Sequence, residues 1–145
     1  MLKIAIGSDH GGVDYKTEVI KYLESKGYQV KNVGTDSHDS CHYPIYGAEV
    51  GRAVASKECE QGIVICTTGI GISISANKVK GIRCALCSDV CSAELTRLHN
   101  DANVLALGAG IVGSNLALRI VDAFLDTKFS GDERHSRRIS KIEQL

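Results

Sequence analysis

The chain predicts an α/β fold, a parallel sheet covered by helices on both faces, and two features of the sequence carry that reading. Short apolar runs alternate with amphipathic stretches from end to end, and the links between them are short. Leu2–Gly7 (LKIAIG) reads as a first strand. Asp14–Lys26 follows as a helix, with Val19, Ile20 and Leu23 at helical spacing and Gly27 as its stop. Tyr28–Val33 is a second strand, Gly34–Cys41 a polar loop, and Pro44–Ser56 a helix whose first turn tolerates the proline. Gly62–Cys66 (GIVIC) is a buried third strand, and the glycine-rich Thr67–Ser75 leads into a helix through Lys78. Ile82–Cys87, Val90–Leu98, Val104–Leu107 and Leu116–Leu125 continue as strand, helix, strand and helix, and the basic tail from Asp132 is helical.

At 145 residues the chain is expected to form one domain, residues 1–145, without repeats or linkers. Its 17 Lys and Arg balance 17 Asp and Glu, so no basic excess exists to neutralise a nucleic-acid strand. No apolar run reaches the roughly 18 residues of a membrane span, and the start resembles a strand rather than a signal peptide. A cytoplasmic location is expected. In that setting the six cysteines read as reduced thiols, most of them small core residues.

Ligands of such sheets sit beyond the carboxyl ends of the strands, where the strand order reverses. After strand 1 stands Gly7-Ser8-Asp9-His10-Gly11-Gly12, which offers a carboxylate and an imidazole; Asp9 also suits a helix cap. After strand 3 stands Cys66-Thr67-Thr68-Gly69-Ile70-Gly71-Ile72-Ser73. Its glycines and the following helix start form a cradle for an anion, and a thiol at its mouth is either activated or simply buried. Gly108–Gly113 matches G-x-G-x-x-G, yet only a helix and a tail follow, so it reads as a tight connection rather than a dinucleotide site. His99, beside Asn100 and Asp101, suits either acid–base work or a capping cluster. Arg134 and Arg138 share a helical face and suit a phosphate or a solvated terminus. Cys84 and Cys87 diverge on a strand and read as packing, not as metal ligands. Together these groups suit proton transfer next to a carbonyl in a phosphorylated small molecule.

The ordered motifs GSDHGG (7–12), Tyr43-Pro44, CTTGIGISISANK (66–78), GIR (81–83), HNDANVL (99–105) and RHSRR (134–138) resemble the type B ribose-5-phosphate isomerases. The wider family also holds galactose-6-phosphate and allose-6-phosphate isomerases. The resemblance implies a three-layer, Rossmann-like five-stranded parallel sheet of order 2-1-3-5-4. It also implies a homodimer with shared active sites, often paired into tetramers, and a sugar-phosphate substrate with neither metal nor organic cofactor. For catalysis it implies that Asp9 and His99 open the furanose and that Cys66 moves a proton between C2 and C1. Thr68 and the backbone of residues 69–73, which include Gly69, Ile70, Gly71 and Ser73, stabilise the enediolate. His10, Arg134 and Arg138 take the phosphate, and Tyr43, Thr67 and Asn100 line the sugar.

Four departures from the family pattern stand out. Thr67 occupies a position that is usually glycine, so a positive φ there would strain the loop. Gly110 stands where an arginine is usual, with Arg137 as a candidate substitute. The segment before Arg134 is one residue longer, and His42 precedes Tyr43 in place of aspartate, as in galactose-6-phosphate members. A hexose 6-phosphate is therefore the alternative substrate. A weakly catalytic sugar-phosphate binder and a nucleotide-binding redox module are the rival functions.

Overall fold

The structure, a computed structural model, describes residues 2–145. Five strands, β1 (Lys3–Ser8), β2 (Gln29–Asn32), β3 (Gln61–Cys66), β4 (Cys84–Leu86) and β5 (Val104–Gly108), form one sheet of order β2-β1-β3-β5-β4. All four pairings are parallel. The helices are α1 (Val13–Ser25), α2 (Tyr43–Ala55), α3 (Ile70–Asn77), α4 (Val90–Asn100), α5 (Ser114–Asp126) and α6 (Glu133–Glu143), with a 3-10 turn over His10–Gly12 before α1. The expected alternation and sheet order are both present.

The central strands are apolar on both faces because both faces are covered. Ile4, Ile6, Ile63, Ile65, Leu105 and Leu107 pack with α1 and α5 on one side. Ala5, Val64, Val104 and Ala106 pack with Val50, Val54 and Ile72 of α2 and α3 on the other. The edge strands are shorter and less buried.

Several boundaries shift by one or two residues, and two of these differences have a clear physical cause. The fourth strand was expected over 82–87 but spans only Cys84–Leu86, because the Arg83 N–H is taken at 2.8 Å by the Asn103 side chain instead of the sheet. The fourth helix was expected to stop at Leu98 but continues through His99 and Asn100 to Asp101, which closes it in the left-handed region at φ 45°.

The polar loop after β2 is tied down by a group that the pattern of α1 hides. Lys16 is fully buried, and its ammonium donates to Asn32 Oδ1 (2.8 Å), the Thr35 carbonyl (2.7 Å) and Asp36 Oδ1 (2.7 Å). Lys16, and after it Asn32, hold the Asp36 carboxyl below the usual carboxylate range. Among the described residues, no helix is long and apolar enough to cross a membrane.

Candidate active site

Parallel pairing brings the ends of β1, β3 and β5 together at the reversal of strand order. Ser8 pairs with Ile65, and Cys66 with Gly108. Asp9 is nearly buried, and its Oδ1 accepts the Gly11 N–H at 3.0 Å, so the carboxylate does cap the turn that follows. His10 Nδ1 accepts the Cys41 N–H at 3.2 Å, with the Cys41 thiol 3.8 Å from the same nitrogen. With Nδ1 accepting that bond, Nε2 is the ring nitrogen that carries the proton.

Cys66 ends β3 and is 5% exposed. The chain must turn from strand to helix within three residues, which places Gly69 at φ 77°, ψ −10° as the cap of α3. In this conformation the Gly69 N–H donates to Cys66 Sγ at 3.1 Å. This N–H sets its partial positive charge against the sulfur, three residues ahead of the Gly69 cap of α3. The Ile70 N–H is held by Thr68 Oγ1 at 3.2 Å. The Ser73 N–H goes to the Gly69 carbonyl, and its hydroxyl to the Ile70 carbonyl at 2.7 Å. Ser73 therefore belongs to the first helical turn rather than presenting a free donor. The N–H groups of Gly71 and Ile72, in the first turn of α3, find no backbone acceptor. Tyr43, the first residue of α2, lays its ring on Gly71, where a Cβ would lie 2.6 Å from the ring carbons.

Thr67 causes no backbone strain, because Lys57 and Asp101 are the only non-glycine residues with positive φ among those described. Its side chain instead fills the gap between the β3 and β5 loops, where a Cβ on Gly110 would meet the Thr67 methyl at 3.0 Å. The two unusual residues of these loops are in contact. The Gly110 N–H donates to the Thr67 carbonyl at 2.8 Å, and Gly108–Gly113 is the tight connection expected, running straight into α5.

The remaining candidates lie elsewhere in the same chain. α4 runs back along the sheet, so His99 and Asn100 precede β5, whose first residue Val104 pairs with Gly62. Cys66 is four strand residues beyond Gly62, a separation of at least about 13 Å. His99 stacks on His135 of α6, with ring centroids 4.5 Å apart and planes 21° apart. Desolvation, and then the neighbouring His99, lower the His135 pKa. Arg134 and Arg138 stand on the exposed first turns of α6 beside this pair. Arg137 pairs with Glu133 at 2.9 Å on the exposed surface of α6. Within one chain the candidate residues form two clusters: Asp9, His10, Tyr43, Cys66, Thr67 and Thr68 at the carboxyl edge, and His99, Asn100, Arg134 and Arg138 at the other. A groove of about 840 Å³, bordered by Asn100, Arg83, Ile142 and Glu143, adjoins the second cluster.

The other cysteines divide by burial. Cys59 and Cys87 are in the core, Cys41 and Cys84 are half-buried, and Cys91 is exposed and outside the packing role expected of most. Burial pushes Cys84 upward and Cys87 up to about 11, keeping both as thiols. Among the described residues no group of His, Cys, Asp and Glu is placed to hold a metal ion.

Sequence reasoning missed the Cys41–His10 contact and Lys16. Position 16 falls in the 16, 19, 20, 23 apolar spacing of α1, so a lysine there was a readable signal of a buried, satisfied ammonium. Nothing in the spacing announced Cys41.

A doubly wound parallel sheet with a thiol, a carboxylate and an imidazole gathered at its switch point defines an α/β enzyme with a small-molecule site. Residues 4–142 match the model of the Ribose/Galactose Isomerase family, and the chain belongs to that family and is an isomerase. It is 48% identical over 145 residues to ribose-5-phosphate isomerase B of Escherichia coli (strain K12), covering 100% of this chain and 97% of that protein. It is 43% identical over 142 residues to galactose-6-phosphate isomerase subunit LacB of Clostridium acetobutylicum, covering 98% of this chain and 82% of that one. Its fold superposes with a TM-score of 0.97 on ribose-5-phosphate isomerase B from Clostridium thermocellum, at 52% identity, covering 99% and 96% of the two chains.

Proposed function

We propose that the chain interconverts ribose 5-phosphate and ribulose 5-phosphate through a cis-enediolate, with Cys66 as the base. The observation that carries this is the Cys66 sulfur at the end of β3, taking the N–H of Gly69, the cap of α3, at 3.1 Å. The thiolate takes the proton from C2 of the open-chain aldose and returns it to C1, while a proton passes from O2 to O1; no oxidant is consumed. Thr68 and the Gly71 and Ile72 N–H groups face the enediolate oxygens, where negative charge develops. His10 donates through Nε2 to the phosphate, Tyr43 and Thr67 line the sugar, and Asp9 assists ring opening.

His99, Asn100, Arg134 and Arg138 act on the site of a second copy. Two half-sites at opposite edges of one chain become two whole sites when two copies pair about a two-fold axis. The apolar rim beside Cys66 supports that pairing: Tyr43, Ile45, Ile70 and Ile74 are 40–56% exposed in the single chain. His99 is then the general acid toward the ring oxygen, and the two arginines close on the phosphate.

Cys66→Ala is expected to abolish turnover while substrate still binds by calorimetry, and substantial residual turnover would refute the base. Mixing Cys66→Ala with His99→Asn chains re-forms one intact site in each hybrid, so about a quarter of wild-type activity returns at equal amounts. No recovery after subunit exchange would refute the shared site. A second reading, isomerisation of a hexose 6-phosphate, is favoured by His42 ahead of Tyr43 and by the galactose-6-phosphate relative. The kcat/KM values for ribose 5-phosphate, allose 6-phosphate and galactose 6-phosphate decide between the two.

A further inference from the structure

Arg83 belongs to the Gly81–Arg83 motif, to which the proposed mechanism gives no role, yet its guanidinium is among the most heavily bonded groups of the protein. Its side chain is 18% exposed. Nε donates to the Asn100 carbonyl at 2.9 Å, and Nη2 to the Asp101 carbonyl at 2.8 Å. These are the carbonyls at the end of α4, which have no partner within the helix, and the turn there is held in a left-handed conformation at Asp101. The remaining donor, Nη1, reaches Glu143 Oε1 at the last residue of α6. The backbone of Arg83 is fixed as well, its N–H by Asn103 Oδ1 and its carbonyl by the Asn103 N–H at 3.0 Å.

α6 has no fully buried residue, so apolar burial alone does not set its place. It is pinned near its start by the His99–His135 stack and at its end by Arg83–Glu143. Arg138 lies between these pins, and Arg134 stands immediately before the first of them. We propose that Arg83 is a positioning residue, a three-way clamp that holds the His99-Asn100 turn and the phosphate-gripping face of α6 in one rigid arrangement. The spread of the guanidinium is what allows it: three separate nitrogens each reach a different acceptor, whereas a lysine ammonium has to draw all three acceptors around one nitrogen. The proposal rests on the reading of His99, Arg134 and Arg138 as one half-site.

The test compares Arg83→Met, Arg83→Lys and Glu143→Gln in the full protein, by steady-state kinetics, inhibition by inorganic phosphate and amide hydrogen exchange of α6. Glu143→Gln releases only the α6 pin. It is expected to raise KM and the inhibition constant of phosphate about threefold, with kcat nearly unchanged, and to speed exchange in α6. Arg83→Met is expected to do this and to lower kcat roughly tenfold or more, because the His99 turn loosens as well. Arg83→Lys is expected to restore less than half of that loss. If Arg83→Met does not fold, Glu143→Gln and Arg83→Lys still decide. Unchanged α6 exchange in Glu143→Gln, or an Arg83→Lys enzyme equal to wild type, overturns the clamp. A wild-type protein that isomerises none of the three sugar phosphates overturns the functional reading instead, and the exchange of α6 then decides the clamp by itself.

Discussion

Replacing Gly69 by alanine tests how far the turn after β3 creates the site. Gly69 sits at φ 77°, and the added Cβ would lie 2.6 Å from Leu86 Cδ1, 2.8 Å from the Leu107 carbonyl carbon and 3.0 Å from the Gly108 nitrogen. The leucine methyl can swing away, but the other two atoms belong to the backbone of central strand β5. The left-handed conformation costs alanine about 1–2 kcal/mol, and overpacking against an immovable backbone about 1–3 kcal/mol more. The sum, about 2–5 kcal/mol, leaves a domain of ordinary stability folded and lowers Tm by about 6–15 °C. The same shift withdraws the N–H that reaches Cys66 Sγ. A hydrogen bond to a charged group is worth about 1.5–3 kcal/mol, so kcat should fall roughly 10- to 150-fold. Thermal melts and turnover on ribose 5-phosphate measure both effects, with Gly113→Ser as the control: that residue has φ −67° and open space around it. A Gly69→Ala protein with wild-type Tm and turnover would show that neither the turn nor its N–H matters as argued.

Two other perturbations follow from the same geometry. Lys16→Met leaves the Thr35 carbonyl and Asn32 Oδ1 without their charged donor, while the exposed Asp36 rehydrates; a net loss of about 2 kcal/mol in urea melts is expected, and equal or greater stability would contradict the account. Asp36, Asp89 and Asp132 have carboxyls held below their ordinary range, by Lys16 in the first case and by backbone N–H groups of Ser92 and Arg134 in the others. Their unfolded values are higher, so the stability they add is complete above about pH 4 and is lost as pH falls through the lowered folded values. Tm is therefore expected to drop in acid, less steeply in Asp89→Asn, and an identical acid slope in that variant would remove Asp89 from the explanation.

Most of the architecture was readable because the signals are local. Two-sided burial wrote β1, β3 and β5 as apolar runs, and the helices between them carried a 3.6-residue pattern that any covering helix must show. The carboxyl-edge cluster was equally legible: Asp9, His10 and Cys66 each follow a strand directly, and chain direction alone delivers them to one edge. The roles within the loop were less so. Ser73 looked like a cradle donor from its position in the glycine-rich run, but the helix begins early enough to take both its N–H and its hydroxyl.

What the sequence determined by itself was the sheet with its helices and the chemistry available at the ends of its strands, because burial pattern and residue type are properties of neighbours along the chain. Tertiary structure alone decided the rest. It placed His99 and Asn100 at the edge opposite Cys66, since a helix returning between parallel strands must end where the next strand starts. It set Thr67 against Gly110, buried Lys16 under the loop after β2, and joined Arg83 to both α4 and α6. The side-chain contacts of Arg83 alone link residues 17 to 60 positions apart, and no local pattern encodes a contact of that span; it exists only once the sheet has fixed where each loop ends.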